Sequence, residues 1–255
     1  MSEYKWELIQ PSDDLWQDSI RCQALYECPK DVAGKRLGPL VPYAGKYGSG
    51  KNFVGEVYFN FGWVEPHVRV VEAFAVNIAK QIAQNPAFAA ASTIVGIPEG
   101  GRTLAQEVAR HSGKRFVYPL KEPKGEQKTG GKAEFNFVFT RNDLHPGEAV
   151  IVVDEVHNNF QNTTDTIETI AETGATVVGF CSALNRSETV EGFFCPKTGA
   201  FASDNFPLIS AIRRPLKEFI QEHPDVAQDI GKGNIEWKVK QNWARLRASM
   251  EAHRK

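Results

Sequence analysis

Between positions 149 and 153 the chain reads Ala-Val-Ile-Val-Val, an unbroken apolar and mostly β-branched run. A run of that length without polar alternation predicts a strand buried on both faces. Asp154 and Glu155 are expected to stop it, and a polar loop over 158–163 follows. Ile167, Ile170 and Ala171 then share one helical face, and Gly174 supplies the helix stop. From Pro66 onward, Val68, Val71, Phe74, Ala75, Ile78 and Ile82 keep the spacing of an amphipathic helix. Residues 92–98 read as a second buried strand. Glu99-Gly100-Gly101-Arg102 then turns into a helix marked by Leu104, Val108 and Ala109. Further strands are predicted at 57–61, 115–118, 176–184 and 207–212. This β-α-β-α order predicts a parallel sheet with helices on both faces.

The remaining segments are less regular. A helix is expected near 14–26. Residues 28–52 carry Pro29, Pro39, Pro42, Gly34, Gly38, Gly45, Gly48 and Gly50, a density of breakers that predicts loop. Gly48-Ser49-Gly50-Lys51 is no P-loop, since the required glycine spacing and the leading strand are both missing. Residues 120–134 are almost wholly polar, with four lysines and three glycines and no period. A loop that long inside a compact domain predicts a functional lid, with a hairpin tip as the plainer alternative. The tail over 215–255 is expected to be helical, with Trp237 and Trp243 packing it onto the body.

Composition narrows the class. The 255 residues are 42% hydrophobic and 24% charged, which is ordinary for a globular chain. The net charge of −1 argues against a nucleic-acid partner. No apolar run nears the roughly 18 residues that span a membrane. The N-terminal stretch lacks the apolar core of a secretory leader. Cys22, Cys28, Cys181 and Cys195 form no C-x-x-C pair and read as reduced thiols of a cytoplasmic protein, with a four-cysteine zinc site as the alternative.

A buried strand ending in acids, followed by a polar loop and a helix N-terminus, makes a site for an anionic sugar. The helix amides and dipole hold phosphate, and the acids hold hydroxyls. The stretch over 148–175 resembles the signature of the type I phosphoribosyltransferases, in which such a loop binds the 5′-phosphate of phosphoribosyl pyrophosphate (PRPP). The family's Thr-Thr-Gly-Gly-Ser is replaced here by Asn158-Asn159-Phe160-Gln161-Asn162. Asn tolerates left-handed backbone better than most residues, and Phe160 is expected to turn away and pack. The resemblance is nearest to orotate phosphoribosyltransferases and covers roughly residues 46–212. The segment over 55–62 resembles the one that sets aromatic residues, here Tyr58 and Phe59, against the base. Gly96-Ile-Pro-Glu-Gly-Gly-Arg102 resembles the turn that receives pyrophosphate. Leu120-Lys-Glu-Pro-Lys124 resembles the start of the catalytic loop, with Leu120 in place of an arginine and Glu126 where histidine is frequent. Arg186 matches the arginine that meets the base's carboxylate.

The resemblance therefore implies a type I phosphoribosyltransferase-like α/β fold with a parallel core over 63–212. It also implies a small hood over 1–62 and a C-terminal helical extension over 213–255. It implies Lys124, Asp154 and Glu155 as catalytic residues. PRPP contacts would come from Glu99, Gly100, Gly101, Lys121, Lys124, Asp154, Glu155, Asn158, Asn159, Gln161, Asn162 and Thr163. Base contacts would come from Tyr58, Phe59 and Arg186. Mg²⁺ would arrive with PRPP, with no metal site built by the protein alone, and a homodimer with shared sites is expected. The implied reaction is phosphoribosyl transfer from PRPP to orotate. The alternatives are a transferase for another nucleobase or a PRPP-binding regulator without turnover.

Overall fold

Residues 8–123 and 135–253 are described in the computed structural model. In chain order the elements are α1 (Leu15–Arg21), β1 (Leu25–Glu27), β2 (Val41–Lys46), β3 (Asn52–Gly55), β4 (Val57–Phe59), α2 (Val68–Gln84) and β5 (Thr93–Gly96). There follow α3 (Gly101–Ser112), β6 (Arg115–Val117), β7 (Leu120–Pro123), β8 (Phe135–Val138), β9 (Ala149–His157) and α4 (Gln161–Glu172). The last are β10 (Thr176–Asn185), β11 (Phe193–Phe194), β12 (Phe206–Arg213), α5 (Pro224–Gly231) and α6 (Trp243–Glu251). They fall into two units. The first holds 67–214 with the stretch up to residue 15, and the second holds 16–66 with 215–255.

The first unit is built on a six-stranded sheet in the order β11-β12-β10-β9-β5-β6. Five strands run parallel, and β11 is an antiparallel edge. The apolar run at 149–153 lies at the centre and is paired along both edges. Thr93 to Gly96 face Val150 to Val153 on one side, and Thr176 to Asn185 face Ala149 to His157 on the other. Both faces are covered, which is why the run does not alternate. Val150 and Val152 pack with Ile167 and Ile170 of α4 and with Phe180. Helix α3 packs on β5 and β9, and α2 packs on α3, β10 and β12. The parallel sheet with helices on both faces is therefore as expected. Gly174, the expected stop of α4, has a φ of 76°, a left-handed turn that glycine adopts without steric penalty.

The acids do not end the strand. The ladder continues through Ser182↔Asp154 and Leu184↔Val156 to Asn185↔His157. The ten-residue β10 offers partners beyond the apolar run, so backbone pairing carries polar residues to the sheet's carboxyl edge. The 120–134 stretch also differs from a plain loop. Its first four residues form β7, paired antiparallel with β8 from Leu120↔Val138 to Pro123↔Phe135.

The second unit corrects three local readings. The helix expected near 14–26 stops at Arg21, and Leu25–Glu27 instead pairs with β4. Part of the breaker-rich stretch forms β2, paired with β3 despite Pro42. Residues 16–66 and 215–255 share one unit. Tyr26, Val41 and Tyr43 pack with Trp243, Leu246 and Met250. Trp243 Nε1 donates to the Gln23 carbonyl at 3.0 Å. Arg36 reaches Glu56 at 2.6 Å and Asp229 at 2.9 Å. Trp237, expected to pack, is 49% exposed.

All four cysteines are free, and only Cys195 is exposed. Burial pushes the Cys22 thiol up to about 12. Among the described residues no helix is long and apolar enough to cross a membrane.

Ile151, fully buried at the centre of β9, tests the core. Ile151→Ala should lower unfolding free energy by about 2–5 kcal/mol, read from urea denaturation. A loss below about 1 kcal/mol would mean that β9 is not the packed centre of the sheet.

Candidate functional site

The carboxyl end of β9 and the turn after β5 meet closely. Ile97 N–H donates to the Val153 carbonyl at 2.9 Å, which carries the chain from β5 alongside the end of β9. The turn over 98–101 follows, with a cis peptide between Pro98 and Glu99, and leads into α3. A Cβ on Gly100 would collide with the Glu155 carboxylate, and one on Gly101 would stand 2.6 Å from the Val153 carbonyl oxygen. Close backbone approach thus requires glycine at Gly101, while a side chain on Gly100 would displace the Glu155 carboxylate. Of the sequence-predicted residues, Gly100, Gly101, Asp154 and Glu155 come together here. Glu99 points out, with a side chain 76% exposed.

Asp154 is buried, and its carboxylate accepts from Glu155 N–H at 2.8 Å. Burial above all, and then the neighbouring Glu155 carboxylate, pushes Asp154 well above the usual carboxylate range. Lys121 on β7 pulls the other way. Lys121 Nζ also lies 5.6 Å from the Phe137 ring centroid. Lys124 lies outside the described residues.

Sequence reasoning did not single out Arg102. It sits in the first turn of α3, with its guanidinium 3.9 Å from the centre of the Tyr118 ring and 4.0 Å from Glu99. Its position three residues after Glu99 at a helix start was the available signal.

The loop after β9 leads directly into α4. Asn158 is half-buried, and Asn159, Gln161 and Asn162 are exposed at the helix head. Asn159 Oδ1 accepts from Gln161 N–H at 3.5 Å, and Gln161 Nε2 donates to Asp165 at 2.9 Å. Thr163 is only 1% exposed, and its hydroxyl has no hydrogen-bond partner among the described residues. The left-handed residue is Phe160 itself, with φ 58° and ψ 21°. That conformation costs a non-glycine residue about 1–3 kcal/mol. Burying the ring contributes about 1.5–3 kcal/mol, and its stacked pairs about 0.5–1.5 kcal/mol each, so packing outweighs the strain. The ring stacks on His157 at 4.8 Å and on Phe194 at 4.3 Å.

His157 closes β9. It is buried, and both ring nitrogens lack hydrogen-bond partners among the described residues. Burial lowers its pKa to about 3. Its carbonyl accepts from Arg186 N–H at 2.9 Å, which fixes Arg186, 6% exposed, at the end of β10. Tyr58 and Phe59 belong to the second unit. There Tyr58 meets Trp243 edge-on at 6.0 Å, and Phe59 stacks near Trp16 at 6.4 Å. Phe59 is 8% exposed, and Tyr58 is half-buried.

No family model matches the chain. An orotate phosphoribosyltransferase of Desulforamulus reducens is 25% identical over 158 residues, covering 59% of this chain and 75% of that protein. The crystal structure of the orotate phosphoribosyltransferase from Aeropyrum pernix matches with a TM-score of 0.50 at 18% identity, covering 86% of this chain and 99% of that one. A structure of Leishmania donovani UMP synthase matches with a TM-score of 0.49 at 14% identity, covering 93% of this chain and 42% of that one. This chain thus spans less than half of that chain's length.

Two outcomes test this geometry. Gly100→Ala should disturb the acid pair while leaving the sheet intact. The measurement is ligand affinity beside thermal unfolding, and an unchanged affinity would remove the close contact. For His157, the folded pKa lies below the unfolded value of about 6.5. The unfolded chain therefore binds the proton first, and stability falls as pH drops from about 6.5 toward 3. His157→Phe should flatten that acid limb by up to about 1.4 kcal/mol per pH unit. Parallel limbs in denaturation at several pH values would show that the imidazole is not buried.

Proposed function

We propose that this chain, whose fold is that of the type I phosphoribosyltransferases, is an enzyme that transfers a phosphoribosyl group from PRPP to orotate. The products are orotidine 5′-monophosphate and pyrophosphate. The observation that carries this reading is the convergence at the end of β9. The Asp154–Glu155 pair, the Gly100–Gly101 turn pressed against it and the head of α4 all lie there. Ligands of open parallel sheets bind at that carboxyl edge.

In this reading the C1′–oxygen bond to pyrophosphate breaks as the bond from the base nitrogen to C1′ forms. The sugar passes through an oxocarbenium-like state. Amides of residues 159–163 and the α4 dipole hold the 5′-phosphate. Asp154 and Glu155 hold the ribose hydroxyls beside the developing positive charge. The raised pKa of Asp154 favours its protonated form, and cationic charge arriving with the substrate draws that proton off. The leaving pyrophosphate meets the amides at the Gly100–Gly101 turn, and Lys121 adds charge. Lys124 is part of the same proposal. The oxygen donors of Asp154 and Glu155 suit a hard divalent cation, and Mg²⁺ carried by PRPP would supply charge neutralisation for the departing pyrophosphate. Arg186 pairs with the base's carboxylate through a bidentate contact. A homodimer with shared sites is part of the same proposal.

The second reading is a PRPP-binding regulator. The glycine-free loop at 158–162 favours it, and a turnover assay separates the two. The assay is pyrophosphate release from PRPP and Mg²⁺ with a panel of bases. Release with orotate alone is expected. Release with another base would reassign the acceptor, and PRPP binding without release would favour the regulator. Arg186→Lys keeps the charge but loses the planar fork. It should raise the orotate KM about ten- to a hundred-fold and leave the PRPP KM near its parent value. Equal effects on both substrates would take Arg186 away from the base.

A further inference from the structure

We propose that Phe160 is a positioning residue. Its ring, clamped between His157 and Phe194, holds the turn at the head of α4 in a left-handed shape that glycine would otherwise supply. The ligand concerned is the 5′-phosphate, so this inference rests on the reading under Proposed function.

The positive φ falls on Phe160, although Asn158 and Asn159 beside it tolerate that region better. Local preference therefore does not choose the position; the ring's surroundings do. Phe160 lies nearly parallel to Phe194, at 11° and 4.3 Å, and at 25° to His157 on its other face. Phe194 is in turn held by β11, where it pairs with Phe206 of β12. Phe180 of β10 stands edge-on to His157 at 6.4 Å, to Phe194 at 5.5 Å and to Phe206 at 5.3 Å. The ring is thus fixed by strands of the sheet. On its backbone side, the Phe160 carbonyl accepts from Thr164 N–H at 2.8 Å and from the Thr164 hydroxyl at 2.9 Å.

Residue 160 is held from both directions, and between these anchors lies the start of α4, whose first amides have no acceptors within the helix. The Thr163 hydroxyl is buried in the first turn of α4 and has no partner among the described residues. A turn fixed before binding loses little conformational freedom when the anion arrives. Glycine loops reach the same shape through freedom, and this loop reaches it through packing.

The test compares Phe160→Leu, Phe160→Gly and Phe194→Leu in the full chain. Phe160→Leu keeps an apolar side chain but loses the stack and retains the left-handed penalty. Phe160→Gly removes more buried surface but restores the backbone freedom. If Phe160 acts by shaping the turn, Phe160→Leu raises the PRPP KM about tenfold, and Phe160→Gly raises it less. A merely structural ring predicts the reverse order. Phe194→Leu, which removes the outer clamp, should also raise the PRPP KM while leaving the orotate KM unchanged. Phe194→Met serves if the leucine variant does not fold. Amide hydrogen exchange of 159–163 should quicken in these variants relative to β9. Lowered thermal stability with unchanged exchange at 159–163 would overturn the proposal. If the parent chain binds no PRPP in the presence of Mg²⁺, the phosphoribosyl reading falls. The exchange comparison then still decides whether the stack holds the turn.

Discussion

The first unit depends on β9 being hydrogen-bonded along both edges and covered on both faces. A buried backbone must find partners for every N–H and C=O, and β5 and β10 provide them in register. Helices can cover the faces because valine and isoleucine occupy both. Charged groups then have one place to go, the end where β9 outruns its apolar stretch. Asp154 and Glu155 stand there because the sheet's interior excludes them. The cost of burying Asp154 appears as its raised pKa.

Much of the first unit was legible because its signals are periodic and long. The six apolar positions from Val68 to Ile82 foretold α2, and the unbroken run at 149–153 foretold the central strand. Where β9 ends was less legible. Acids argue against a strand on local preference, yet the ladder to β10 extends it to His157. The second unit was read least well. Pro42 and the glycines around it pointed to loop, but β2 forms by pairing with β3, and Val41 and Tyr43 are buried against α6. Packing between segments so far apart in the chain leaves no mark in a local pattern.

The site shows the same division. Motif spacing singled out Gly100, Gly101, Asp154 and Glu155, and the close approach of the turn to β9 gives a physical reason for the glycines. What spacing could not express is the compensation at Phe160. Its tolerance for a left-handed backbone arises from His157, Phe180 and Phe194, two of which lie far along the chain. Tyr58 and Phe59 illustrate the converse. Aromatic residues at a suggestive position in a motif are also what a core requires, and here they pack within the second unit.

The way the second unit is assembled sets an order of events during synthesis. Its inner residues come from both sides of the sheet domain, with Arg36 tied to Asp229 and Tyr26 packed against Trp243 and Met250. A ribosome releases the chain from its N-terminus, and domains fold as their residues emerge. Residues 16–66 therefore leave the exit tunnel long before their partners exist. The β-α-β core over 67–214 can close while those earlier strands wait, with Tyr26, Val41 and Tyr43 still uncovered. Through that interval Tyr26, Val41 and Tyr43 lack the α6 side chains that cover them in the finished fold.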